Sequence, residues 1–216
     1  MSRESEKSTS LPRCCIISSG REKTGENSSL LRLMENLPVS LPCMVQIREK
    51  HLDAKSLYEL SCRAATMKRL SGTLVLLNER ADIAMAAGLD GVHLPEIACH
   101  PAALKAAGLD MLYGCSVHSI ESARAAENNG AAYLLFGPVF NTPSKRSYGA
   151  PQGLGKLETL CRSTTLPVFA IGGVTPENAP LCRETGAWGC AALSLFLDIS
   201  SLALSIEQMN HPWRNQ

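Results

Sequence analysis

Short apolar runs alternate with helical patterns down the whole chain. Eight runs are read as strands: Cys14–Ser18, Met44–Arg48, Leu74–Leu77, Gly91–Leu94, Met111–Cys115, Tyr133–Gly137, Val168–Ile171 and Gly189–Leu193. Between them, apolar residues recur at i, i+3 and i+4, most clearly in Ser56–Leu70 and Ser119–Asn129, which predicts amphipathic helices. Ser119 is expected to start a helix and Asn129-Gly130 to stop it. Thr175-Pro176-Glu177 fits an N-cap followed by proline at the first helical position, and Glu184-Thr185-Gly186 closes that helix.

Eight strands alternating with about eight helices, with no hairpin signal, imply a parallel sheet. An open doubly wound sheet is the competitor. The count of eight, and the lack of a G-x-G-x-x-G turn after the first strand, favour a closed (β/α)8 TIM barrel. The expectation is one barrel domain over residues 13–216. Residues 1–12 are polar and are expected to form a short, flexible, disordered lead-in. The stretch Pro138–Gly155 reads as a long loop after the sixth strand, of the kind that usually carries function.

Composition adds limits. The chain has 216 residues, 45% hydrophobic and 19% charged, enough apolar material for one large core. A formal net charge of +1 gives no global field to attract nucleic acid or an acidic membrane. No run reaches the roughly 18 apolar residues of a membrane span. The nine cysteines include no C-x-x-C pair, so they read as small core hydrophobes of a reduced, cytoplasmic protein rather than as zinc ligands.

Barrels of this kind carry their active sites at the C-terminal ends of the strands. After the second strand, the period of two places Gln46, Arg48 and Lys50 on one face. Cations turned toward a barrel interior suit an anion, with a strand-end salt bridge such as Arg48 with Glu79 as the alternative. After the third strand, Asn78 is a candidate ligand donor and Glu79 a candidate metal carboxylate, or both simply lead into the next helix. Ser116 follows the fifth strand as a candidate donor to a phosphate or leaving group. His118, beside Ser119, is read more as a helix-start residue than as an acid–base group, and His93 as a packed interior residue. Thr142, Ser144 and Lys145 offer anion-binding groups on the proline-stiffened loop after the sixth strand. Gly172 and Gly173 after the seventh strand, with Leu193 and Ser194 after the eighth, match the usual barrel phosphate site.

The motifs QIREK (46–50), LLNERADIA (76–84), GVHLPE (91–96), GCSVHS (114–119), FGPVFNTPSK (136–145) and AIGGVTPEN (170–178) occur in this order at these strand ends. From about Cys14 to Phe196 the chain resembles the thiamine phosphate synthase and TenI (thiazole tautomerase) superfamily. The resemblance implies a transferase of thiamine biosynthesis that joins 4-amino-2-methyl-5-pyrimidinylmethyl diphosphate to thiazole phosphate, releasing pyrophosphate with Mg²⁺. By position, Gln46, Arg48, Lys50, Asn78, Ser116 and Lys145 would hold the pyrimidine diphosphate, with Ser116, Lys145 and Arg48 as catalytic groups. Thr142, Ser144, Gly172, Gly173, Leu193 and Ser194 would hold the thiazole phosphate. Glu79 would stand as metal ligand. A second carboxylate of the synthase falls at Ala98, and the catalytic His of the tautomerase falls at Pro138. The alternatives are therefore a TenI-like isomerase without its usual base, and a non-catalytic binder of thiamine precursors. The expected partners are these small phosphorylated molecules, with neither nucleic acid nor membrane, and a homo-oligomer is possible.

Overall fold

A computed structural model describes residues 11–22, 28–71, 73–142 and 150–214. The strands β1 (Cys14–Ile17), β2 (Cys43–Ile47), β3 (Leu74–Asn78), β4 (Gly91–Leu94), β5 (Leu112–Val117), β6 (Tyr133–Phe136), β7 (Val168–Ile171) and β8 (Gly189–Ala192) alternate with helices. The helices are α1 (Ser29–Glu35), α2 (Ala54–Ser71), α3 (Ala81–Ala87), α4 (Pro101–Ala106), α5 (Ile120–Asn128), α6 (Gly153–Ser163), α7 (Ala179–Glu184) and α8 (Leu202–Asn210). All eight strands run parallel in chain order and close into a barrel, with β1 paired to β8. The open-sheet alternative is thereby excluded. No helix is long and apolar enough to cross a membrane among the described residues.

The strands are almost wholly buried because both faces are covered, as a parallel sheet requires. One face turns outward onto the helices. Ile16, Val45, Val75, Val92, Val117 and Phe136 belong there to a continuous core with the inner faces of the helices. The other face fills the barrel interior with Leu11, Cys15, Met44, Leu76, Tyr133, Phe169 and Ala191. Leu11 lies within the stretch read as a lead-in, yet it is buried in this inner cluster and its carbonyl accepts from Trp188 Nε1 at 3.1 Å.

Residues just before β1 add contacts at this closure. Arg13 donates to the Trp188 carbonyl at 2.9 Å and lies 3.5 Å over the indole ring. The Arg13 carbonyl accepts from the Cys190 N–H at 2.9 Å, next to the β1–β8 pairing.

Helix starts show why the elements sit where they do. Ser119 caps α5 as expected: its hydroxyl accepts from the Ser122 N–H, and Ser122 returns the bond in a capping box. Asn129 is the C-cap. The start of α7 differs from the expected Thr175-Pro176 position. The Asn178 side chain accepts from the Thr175 N–H at 2.8 Å and donates to the Gly173 carbonyl at 2.9 Å. That clamp stabilises a turn first, and the helix begins at Ala179.

Candidate active site

Polar side chains gather at the C-terminal ends of the strands, above the apolar interior. Gln46 ends the inward face of β2 and is buried. Its amide donates to Asn78 Oδ1 at 3.1 Å, and Asn78 donates onward to Glu79 Oε2 at 2.9 Å. Glu79 also meets Lys50 Nζ at 3.1 Å. Four residues predicted from two separate motifs therefore form one chain of contacts across the ends of β2 and β3. Gln46 Oε1 is buried and accepts no bond among the described residues, which leaves an acceptor that favours a ligand N–H.

The expected common face of Gln46, Arg48 and Lys50 needs correction. The strand ends at Ile47, so the period of two does not reach Lys50. Lys50 is about half exposed, its side chain at 51%, and it pairs with Glu79. The strand-end salt bridge thus exists, but with Lys50 in place of Arg48. Arg48 is half-buried, and its charge is felt by the buried His93 ring.

Glu79 occupies the left-handed backbone region at φ 65, an uncommon conformation for a residue with a side chain. Its N–H donates to the His93 carbonyl at 3.0 Å. The turn after β3 is thus tied to β4, and the carboxylate stands at the rim.

The ends of β4 and β5 hold a second polar group. His93 is buried; its Nε2 lies 2.9 Å from Ser116 Oγ and its Nδ1 lies 3.0 Å from the Tyr133 hydroxyl. Burial, helped by the Arg48 charge, lowers its pKa to about 3, so the ring is neutral at physiological pH. His93 therefore packs in the interior as expected, and it also grips the Ser116 hydroxyl. His118 is exposed outside this pair, its Nδ1 3.0 Å from Glu96 Oε2 and its N–H donating to Glu96 Oε1 at 3.2 Å. Glu96 thereby ties the β4 loop to the end of β5. Ala98 packs its methyl against the outer core.

The loop after β6 stays pressed to β7. Val139 N–H donates to the Ile171 carbonyl at 2.8 Å and Phe140 N–H to the Gly172 carbonyl at 2.9 Å. Gly172 and Gly173 have φ of 93 and 66. A Cβ on Gly172 would lie 2.5 Å from Pro138 Cβ, and one on Gly173 would lie 2.5 Å from the Asn141 carbonyl oxygen. The two glycines are therefore required both by backbone conformation and by close approach. This brings half-buried Thr142 to the same rim. Beyond β8, Leu193 caps a short 3₁₀ turn, Ser194–Phe196, with Ser194 exposed at its start. Ser144 and Lys145 lie outside the described residues.

Sequence reasoning missed three participants. Glu49, whose side chain is fully buried, accepts from the Ser18 hydroxyl and from the N–H groups of Gly20 and Glu22, both at 2.9 Å. Ser18 Oγ in turn accepts from the Arg48 N–H at 2.8 Å. Glu49 thus fixes the backbone that carries Arg48 and Lys50. The third is Tyr133, which reads as one more apolar strand residue. The only available signals were a carboxylate between two cations and a phenol within a strand. Neither says which neighbouring strand holds the partner.

Comparison with known proteins agrees with this geometry. The thiamine monophosphate synthase family model matches residues 14–196. A putative thiamine-phosphate synthase 2 from Aquifex aeolicus is 39% identical over 87% of this chain and 99% of its own. The thiamine-phosphate synthase of Syntrophomonas wolfei is 36% identical over 79% of this chain and 82% of its own. Among solved structures, thiamine phosphate pyrophosphorylase from Pyrococcus furiosus superposes with a TM-score of 0.77 at 28% identity, covering 93% of this chain and 94% of that one. A closed parallel barrel with these strand-end groups, matched over nearly its whole length, belongs to the thiamine monophosphate synthase family.

Proposed function

We propose that the protein is a thiamine phosphate synthase, joining an aminopyrimidine methyl diphosphate to thiazole phosphate with release of pyrophosphate. The observation that carries this reading is the convergence of Gln46, Asn78, Glu79 and Lys50 at the ends of β2 and β3 around an unpartnered buried acceptor. Gln46 Oε1 suits the amino group of the pyrimidine. Arg48, Lys50 and Asn78 suit its diphosphate, Arg for two oxygens at once and Lys as a point charge. The Gly172–Gly173 turn, Thr142, Leu193 and Ser194 suit the phosphate of the thiazole. Ser144 and Lys145 belong to the same reading by their place in the family motif.

The chemistry follows from charge. The C–O bond to the diphosphate breaks with its electron pair going to oxygen, leaving a pyrimidine methylene cation. The thiazole nitrogen lone pair then forms the new C–N bond. The chain's part is to hold the two reactants in line and to stabilise the negative charge growing on the leaving group.

Mg²⁺ belongs to this proposal. Magnesium commonly takes one or two carboxylates together with substrate phosphates. Glu79, exposed at the rim and already facing a cation, fits that role. Ala98, its methyl against apolar neighbours, supplies nothing. Bound there, the metal would neutralise part of the diphosphate charge. Lys50 and Glu79 would exchange partners on binding, Lys50 turning to the diphosphate and Glu79 to its metal.

The test is direct. The purified protein, given both substrates and Mg²⁺, is expected to form thiamine phosphate and pyrophosphate in equal amounts. No product at high enzyme concentration would overturn the transferase. One observation favours a second reading, a TenI-like isomerase: Glu96 holds His118 by Nδ1, leaving Nε2 for proton transfer at the rim. Isomerisation of a thiazole carboxylate phosphate, lost in His118→Gln, would support it.

A further inference from the structure

The hydroxyl of Ser116 sits at the top of a buried line of three polar groups. Tyr133 is fully buried, its ring edge-on to Phe169 at 5.4 Å between centroids. It fits because residue 114 is glycine: a Cβ there would lie 2.0 Å from the Tyr133 ring. The phenol oxygen is 3.0 Å from His93 Nδ1, and His93 Nε2 is 2.9 Å from Ser116 Oγ.

A neutral imidazole offers one N–H and one lone pair, so the line has two possible polarities. In one, Nδ1–H donates to the phenol oxygen and Nε2 accepts from Ser116. The phenol hydrogen then needs another acceptor. Among the described residues, His93 Nδ1 is the one hydrogen-bond partner of the Tyr133 hydroxyl, so this arrangement buries an unmade O–H bond. Leaving a buried donor without an acceptor is costly. In the other polarity the phenol donates to Nδ1, Nε2–H donates to Ser116 Oγ, and every buried group is satisfied.

We infer that Tyr133 and His93 are positioning residues that make Ser116 a hydrogen-bond donor toward the bound substrate. With Nε2 carrying a hydrogen, Ser116 cannot donate to His93. Its own hydrogen is left for an acceptor at the strand ends, a phosphate oxygen or a ring nitrogen. This rests on the transferase reading for its substrate, and on the burial and geometry of the line for its polarity. A donor aimed at a leaving-group oxygen strengthens as negative charge develops there.

Two measurements test it separately. In ¹⁵N NMR of histidine-labelled protein without substrate, His93 should appear as the neutral Nε2–H tautomer and hold that form across neutral pH. An Nδ1–H signal, or titration in that range, would overturn the polarity whatever the protein catalyses. Tyr133→Phe keeps the ring and removes only the hydroxyl. It should lower kcat for thiamine phosphate formation about tenfold, with KM for both substrates unchanged. In a Ser116→Ala background the same change should have no further effect on kcat, since the line then ends nowhere. An additive loss would show Tyr133 acting through packing and would sink the relay. If Tyr133→Phe does not fold, the tautomer of the unmodified protein decides the question.

Discussion

A histidine kept neutral inside a barrel must still take up a proton when the chain unfolds in acid. Burial, and secondarily Arg48, lowers the His93 pKa to about 3, while an unfolded histidine titrates near about 6.5. Between those values the unfolded chain binds the extra proton, so stability falls as pH drops through this window, by about 1.4 kcal/mol per unit. Denaturant midpoints between about pH 6.5 and pH 5, above the carboxylate range, should therefore slope downward. In His93→Gln that slope should be largely gone; an equally steep slope would place the proton elsewhere. At this scale the sequence was partly legible. Gln46 stood out as a polar residue in an apolar strand, because a side chain's face follows from the period of two, and Asn78 as the first polar residue after one. Tyr133 and Glu49 did not, because their roles depend on which residue of another strand they meet. Lys50 was misplaced because the period was carried past the end of the strand.

Turns between elements are constrained by contact as well as by dihedral angle, and two glycines separate the effects. Gly88 ends α3 at φ 69 with nothing within 4 Å of a would-be Cβ. Gly173 has a similar φ of 66, but there a would-be Cβ would lie 2.5 Å from the Asn141 carbonyl oxygen and 2.9 Å from Phe140 Cβ. Gly88→Ala should cost about 1 kcal/mol, the backbone penalty alone. Gly173→Ala should cost more, about 2–4 kcal/mol, and should also weaken thiazole phosphate binding, because the β6 loop must move. Urea denaturation and calorimetric binding measure both; equal losses in the two variants would mean that the β6–β7 contact is slack. Paired glycines after β7 were visible in the sequence. Their tight partner was not, because it comes from a loop some thirty residues earlier. The α5 start was legible because a capping box is local, whereas the α7 start was not, because Asn178 clamps a turn that propensity does not record.

For the whole molecule, alternation and the count of eight predicted the barrel, since a parallel sheet of that many strands with helices on one face can close. Alternation says nothing of how the seam between first and last strands is held. There Arg13 adds to the β1–β8 pairing, bonding the Trp188 carbonyl and covering its ring. A cation on an indole face is worth about 0.5–2 kcal/mol and the hydrogen bond about 1 kcal/mol. Arg13→Ala should lower the denaturation midpoint by the equivalent of about 1.5–3 kcal/mol with the m-value unchanged, leaving the distant strand-end site at its normal affinity. A changed m-value would mean that the barrel opens at the seam before it unfolds as a whole.

Gly114 and Tyr133 also bear on descent. Any side chain at 114 would strike the phenol ring, and a smaller residue at 133 would leave a hole and strip His93 of one of its two partners. Neither position can drift alone without loss. A lineage that abandons this arrangement must change both, through an intermediate worse than either end. Across relatives the two positions should therefore be inherited as a pair, glycine with tyrosine, or replaced together.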